Sequence, residues 1–241
     1  MRLPTIQGVI RRRMLINFRV DPAVIQGQIP SRFKPKLQRG KAIAGVCLIR
    51  LEHVRPKAFP ELVGISSENA AHRVAVTWTD DSGQFKEGVY INRRDTDSAL
   101  NQLLGGRVFP GELHKAAFRI TESPDAIDFS MRSDDDSVAV DVLARPSDRL
   151  PKESIFESLE ESSAFFEAGS VGYSTTHEPN RLDGMILETD EWRVEPLAIQ
   201  NVYSSYFADT SMFPEGSVEF DHALLMRNIH HEWVTASDLY I

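Results

Sequence analysis

The sequence predicts a mainly β (α+β) domain, and three observations carry that expectation. Short runs rich in β-branched and aromatic residues follow one another from "RMLINFRV" to "SVEFDHALLMRNIHHEWVTA". Turn clusters such as "DDSG", "SPDA" and "SDDD" separate the middle runs at short intervals, which is the spacing of antiparallel pairing and not of alternating strand and helix. Helix signals are confined to three places.

Taken in order, "RMLINFRV" is the first strand, and Asp21-Pro22 then caps a helix over 21–29 with proline at its first position. Strands follow in "KAIAGVCLIRL", "HRVAVTW" and "GVYINRR". Thr96 or Asp97 caps a second helix over 97–104, which Gly105-Gly106 ends. "HKAAFRI", "AIDFSMR" and "SVAVDVLA" are further strands. A third helix spans 153–167, where Ile155, Leu159, Phe165 and Phe166 form an apolar stripe. Long strands in "DGMILETDEWRVEPLAIQNVYSSYF" and "SVEFDHALLMRNIHHEWVTA" complete the chain. No repeat, low-complexity stretch or long linker divides it, so residues 1–241 read as a single domain.

Composition narrows the class of function. A hydrophobic content of 41% and a charged content of 26% are ordinary for a soluble globular protein. The longest apolar stretch, "AIAGVCLI", is far below the roughly 20 residues of a membrane-spanning helix. "MRLPTIQGVIRRR" has no apolar signal core, and one cysteine excludes an intramolecular disulfide, so a cytoplasmic protein without a membrane partner is expected. Charge is lopsided: residues 1–57 hold 13 Lys or Arg against two acids, and the remainder 14 against 33. Without aromatic interleaving or a nucleic-acid module, the expectation is a basic sheet region packed beside acidic strands, with no nucleic-acid partner.

The ionisable groups concentrate in "GGRVFPGELHKAAFRI", which places Glu112, His114 and Lys115 where a turn enters a strand. Nucleophile elbows, phosphate-binding loops and dinucleotide fingerprints are missing from the sequence. Cys47, inside "IAGVCLI", reads as a small buried hydrophobe. No H-x-H or H-E-x-x-H spacing occurs, and His222 lies about 26 Å along an extended strand from His230, so no metal site is expected. In "SSENAAHRVAV", alternation puts Glu68, His72, Val74 and Val76 on one face, with Asn69, Ala71 and Arg73 on the other.

These segments, with "EGVYINRRDT", "GYS" and the later "EPL", resemble the YqjF-like bacterial family, a branch of the acetoacetate decarboxylase-like superfamily. The resemblance implies a closed, mainly antiparallel β-barrel with a few peripheral helices and a pocket inside. In acetoacetate decarboxylases a G-x-P-K-K-L turn carries the lysine that forms a Schiff base. Here the comparable stretch is "VFPGEL": Pro110 and Leu113 fit, while Gly111 and Glu112 stand in place of the two lysines. Glu68 matches an acidic residue of the pocket strand, but the family's E-x-N-x-R is altered, with Asn69 directly after Glu68, His72 four residues on and Arg73 five.

The resulting expectation is a barrel pocket for a small carboxylated or carbonyl compound, with lyase- or hydratase-like acid/base chemistry and no Schiff-base lysine. Glu68 and Glu112 would be the acid and base, with Glu112 pointing inward. His72, Arg73, Tyr90, Arg107, His114 and Lys115 would bind the ligand. No cofactor is expected, and the partner would be a small molecule. A non-catalytic binding barrel, and an interaction protein using its basic N-terminal third, are the alternatives. Whether copies of the chain associate as a homo-oligomer is left open.

Overall fold

The computed structural model describes residues 5–99 and 111–241. In chain order the elements are β1 (Ile6–Val20), α1 (Pro22–Gln26), β2 (Lys34–Pro35), β3 (Leu37–Gln38), β4 (Lys41–Pro56), β5 (Ile65–Thr79) and β6 (Phe85–Thr96). They continue with β7 (His114–Glu122), β8 (Ile127–Ser133), β9 (Ala139–Pro146), α2 (Leu159–Glu167), β10 (Val171–Thr175) and β11 (Arg181–Thr189). The last are β12 (Glu195–Ser204), α3 (Ser205–Ala208), β13 (Val218–Thr235) and β14 (Leu239–Tyr240).

The fold is mainly β, as the turn-punctuated strand pattern requires. Among the described residues fourteen strands form one sheet that closes twice on itself. One closure runs β1-β4-β5-β6-β10-β11-β13 and back to β1; the other leaves β6 through β7, β8, β9 and β12 and rejoins at β13. Two rings of strands therefore share the wall β13-β1-β4-β5-β6. Pairing is antiparallel except where β6 meets β10 and β7, two parallel contacts that the sequence pattern did not announce.

The shared wall is buried on both faces, and that explains its sequence. Met14, Ile16, Val46 and Leu48 pack with Phe129 and Val140 in one core, whereas Leu15, Cys47 and Ala71 pack with Phe165 and Phe166 in the other. A strand with two buried faces reads as a continuous apolar run instead of an alternating one, which is why "AIAGVCLI" is unbroken. The stretch from 183 to 207 is not one strand, because β11 belongs to the first ring and β12 to the second.

Helix ends follow their capping chemistry. The Asp21 side chain accepts from Ala23 N at 2.8 Å, and α1 stops at Gln26, short of the 21–29 expected, because Gly27 and then Pro30 follow. Ser158 caps α2, accepting from Glu161 N at 3.1 Å while Glu161 accepts from Glu157 N at 2.7 Å. This local pairing starts the helix at 159 and not 153. The expected helix at 97–104 lies outside the described residues from 100 onward.

The charge asymmetry dissolves into ion pairs between the basic N-terminal third and later acids. Arg19 meets Glu219 at 2.6 Å, Lys36 meets Glu87 at 2.9 Å, Arg39 meets Glu157 at 2.6 Å and Lys57 meets Glu232 at 2.6 Å. Each surface pair contributes little stability, but together they remove a free basic face from these positions.

Gly45 is the tightest point of the shared wall. A Cβ there would lie 2.1 Å from the Ile16 carbonyl oxygen, which belongs to the backbone of the adjacent strand and cannot swing away. Gly45→Ala is expected to lower stability by about 3 kcal/mol or more, since overpacking of a rigid core costs on this scale. Urea unfolding measures it, and a midpoint equal to wild type would refute this account of the wall.

Candidate functional site

Strand alternation sorts the ionisable groups of the wall onto two faces, and the faces have different electrostatic fates. On the second-ring side, Arg12 of β1 is buried and ion-paired. Its guanidinium meets Glu68 of β5 at 2.7 Å and Glu122 of β7 at 3.0 Å, and Arg227 also reaches Glu122. Burial pushes the Glu68 pKa up, against the pull of Arg12 and Arg50. This is a neutralised cross-ring network that ties β7 to β1 and β13.

Inside the first ring lies a cavity of about 100 Å³ to which all seven strands of that ring contribute. Three arginines line it: Arg13 of β1, Arg73 of β5 and Arg94 of β6. Apolar and aromatic side chains make up most of the remaining wall, among them Phe166, Met185, Leu187, Trp192 and Trp233. Among the described residues no Asp, Glu, His or Lys lines it. Each arginine instead bonds a neutral partner. Arg13 Nε donates to Cys47 Sγ at 3.0 Å, Arg73 donates to Asn17 Oδ1 at 2.7 Å, and Arg94 Nε donates to Ser174 Oγ at 2.9 Å.

Arg73 is the most exposed to cost. It is 4% solvent-accessible, and its Nε and Nη1 have no hydrogen-bond partner. Burial pushes its pKa down to about 10, and that of Arg94 likewise to about 10, so both remain cations at neutral pH. Phe166 presents its ring to Arg73 at 4.9 Å and Trp192 to Arg13 at 5.8 Å, contacts that favour a cation without neutralising it.

The register explains how Arg73 is held. Asn17, Gly45 and Arg73 form one row across β1, β4 and β5. Gly45 has no side chain to block that row, so Arg73 reaches over it to Asn17. Asn17 in turn donates to His222 Nε2 at 3.2 Å, and His222 Nδ1 bonds Asp221 Oδ2 at 2.6 Å. Burial opposes an ionised Asp221, but hydrogen bonds from His222, the Ile155 backbone and Ser154 hold its pKa below the usual range. Ser162 of α2 bonds His222 Nε2 at 2.8 Å, so a Ser-His-Asp line exists here. Ser162 is wholly buried and does not line the cavity, and the line fixes α2 to the wall.

Of the residues singled out from the sequence, Arg73 alone among those described lines this cavity. Glu68 faces the other way, into its pairs with Arg12 and Arg50. Glu112 does not point inward to meet it. Its loop precedes β7 and is pinned by the Glu112 N–H to the Thr175 carbonyl at 3.0 Å, which leaves the carboxylate 37% exposed between His114 and His177. The expected carboxylate pair is therefore not assembled. His114 lies 3.6 Å from Asp135 and the Lys115 ammonium donates to the Asp97 carbonyl, both away from the cavity. Tyr90 packs against Phe33 at 5.8 Å in the second core, while its neighbours Val89 and Ile91 line the cavity. His72 is opposite Arg73 on β5, 4.9 Å from Tyr206, with neither ring nitrogen partnered. Arg107 lies outside the described residues.

Arg13 and Arg94 carry no local signal in the sequence, and Cys47 reads there as a small buried hydrophobe. The register puts Leu15, Cys47, Ala71 and Arg94 in one row across four strands, but that row needs long-range pairing to become visible. Among the described residues no group of three or more His, Cys, Asp or Glu could hold a metal ion, and no helix is long and apolar enough to cross a membrane.

The doubly closed sheet with an internal cavity defines an acetoacetate decarboxylase-like fold. The acetoacetate decarboxylase of Legionella pneumophila superposes with a TM-score of 0.57 at 13% identity, over 98% of this chain and 88% of that one. An acetoacetate decarboxylase-like enzyme from Sphingomonas wittichii RW1 gives 0.59 at 11% identity, over 99% and 93%. The enduracididine biosynthesis enzyme MppR, complexed with pyruvate, gives 0.57 at 10% identity, over 100% and 91%. No curated protein sequence matches the chain. The profile of the DUF2071 family, "Uncharacterized conserved protein (COG2071)", matches residues 9–226, and the chain belongs to that family.

The buried histidines set a pH dependence. Burial, helped by Arg93, pushes the His72 pKa down to about 3; burial, with Arg13 and His230, pushes His231 down to about 4. Both lie below the ordinary 6.5, so the unfolded chain takes up protons that the folded chain refuses. Their stability contribution is complete above about pH 6.5 and is lost on acidification, at about 1.4 kcal/mol per pH unit for each histidine. His72→Phe should remove one proton's share of that slope between about pH 6 and about pH 5, as read by urea unfolding. An unaltered slope would show that His72 is not held neutral.

Proposed function

We propose that the protein binds a small organic carboxylate in the first-ring cavity, and that this site replaces the Glu68–Glu112 acid/base pair expected from the sequence. The observation that carries the reading is Arg73: a buried guanidinium with two unpartnered nitrogens, beside Arg13 and Arg94, in a cavity with no acid on its described lining. Burying an unpaired ion costs several kcal/mol in effective terms, and a carboxylate supplies the missing acceptors. Arginine presents donors in a planar fork that matches a carboxylate, whereas lysine offers a point charge. The size of the ligand is bounded as well. A cavity of about 100 Å³ accepts an acid of a few heavy atoms, and not a nucleotide or an acyl chain. The pyruvate complex of MppR, a protein of the same fold, is consistent with a ligand of this class.

Schiff-base chemistry is not part of the reading. Gly111 has a φ of +78°, and a Cβ there would lie 2.5 Å from Ser174 Cβ, so this turn does not accept a lysine in that place. Borohydride reduction with acetoacetate or pyruvate should leave the chain's mass unchanged. A trapped adduct on any lysine would refute this part.

Calorimetry with pyruvate against neutral, near-isosteric pyruvamide tests the binding itself. Pyruvate is expected to bind and to raise the melting temperature. Pyruvamide should bind at least about tenfold more weakly, as should pyruvate to Arg94→Gln, because a charge-assisted hydrogen bond is worth about 1.5–3 kcal/mol. Equal binding of the two compounds would overturn the proposal.

A further inference from the structure

The cavity carries a nucleophile as well as cations. Resting on the carboxylate reading above, we propose that Cys47 acts on small carboxylates that carry an electrophilic carbon next to the carboxyl group. Cys47 is 2% accessible overall, yet it lines the cavity, so its surroundings are not those of an inert core thiol. Arg13 Nε donates to Sγ at 3.0 Å, and Arg73 and Arg94 line the same cavity. Reactive cysteines sit in electropositive, partly accessible settings, whereas those walled by apolar groups do not react.

Position supports the assignment independently. Cys47 and Arg94 are both paired with Ala71, one on either side, so only a methyl group separates their strands' side chains in that row. The partner-free nitrogens of Arg73 supply a second pointer to an anion beside the sulfur. A carboxylate held by Arg73 and Arg94 would present its α-carbon to Sγ. The other nucleophilic side chain on the lining, Ser170, has no His, Asp or Glu on the described lining to activate it.

With a 2-oxo acid, a bond forms between sulfur and the carbonyl carbon. The C=O π pair moves to oxygen, and that oxygen takes the thiol proton, giving a hemithioketal without change in oxidation state. With iodoacetate, sulfur bonds to the methylene carbon, the C–I bond breaks, iodide leaves and the thiol proton passes to solvent.

The chain has a single cysteine, so thiol alkylation of the full-length protein reports on Cys47 alone. Iodoacetate and neutral iodoacetamide are compared by intact mass, with pyruvate as competitor and Cys47→Ser as control. Iodoacetate is expected to react at least about tenfold faster than iodoacetamide, the ratio one charge-assisted contact supplies. Pyruvate should slow it, and Arg94→Gln should erase the preference. If that variant does not fold, competition by pyruvate on the wild-type protein still decides. An unmodified Cys47 in protein that binds pyruvate by calorimetry would overturn the nucleophile while leaving the carboxylate cavity standing. Alkylation indifferent to reagent charge and to pyruvate would overturn it too, and with no calorimetric binding the reading beneath it would fall as well.

Discussion

Burial of the wall β13-β1-β4-β5-β6 on both faces is the constraint from which the remaining features follow. A strand in an ordinary antiparallel sheet can turn its charged residues to water. Where a strand has a core on each side there is no such outlet, and a cation buried there must find an internal partner. The consecutive arginines 12 and 13 show both outcomes, because adjacent residues point to opposite faces. Arg12 finds Glu68 and Glu122 in one ring; Arg13 finds the sulfur of Cys47, more distantly that of Met226, and the ring of Trp192 in the other.

The contrast gives the cavity its meaning. Ion pairs such as Arg12–Glu68 neutralise their charges within the chain. Arg73 and Arg94 are held by amide and hydroxyl oxygens, which orient a guanidinium without forming an ion pair. Asn17 and His222 extend that support outward to the ionised carboxylate of Asp221, the residue before His222 on β13, so the orientation of Arg73 is set by the wall and by α2 together.

The likeness to acetoacetate decarboxylases covers nearly the whole chain, and it is a likeness of fold that leaves the turn before β7 to this chain's own residues. Gly111 adopts a left-handed conformation there and packs against Ser174, while Glu112 looks out toward His114 and His177. The turn has become a structural tie between β7 and the end of β10. The cations that line the cavity are instead arginines of the wall.

Much of this was legible in the sequence. Turn clusters and β-branched runs determined a mainly β domain, Asp21 placed α1, the apolar stripe around Phe165 and Phe166 placed α2, and the alternation in "SSENAAHRVAV" separated His72 from Arg73. The missing lysine pair at Gly111 and Glu112 was plain from the residues. What the sequence did not contain was which strand lies beside which. Glu112 was read as inward because its turn matched a pocket turn, but its side-chain direction depends on a hydrogen bond to Thr175, more than sixty residues away. Arg13, Cys47 and Arg94 lie far apart along the chain, and only the pairing of β1, β4, β5 and β6 brings them to one cavity. Local propensity and period specify an element and its faces. Which faces meet is fixed by non-local hydrogen-bond register, and that register exists only in the folded sheet.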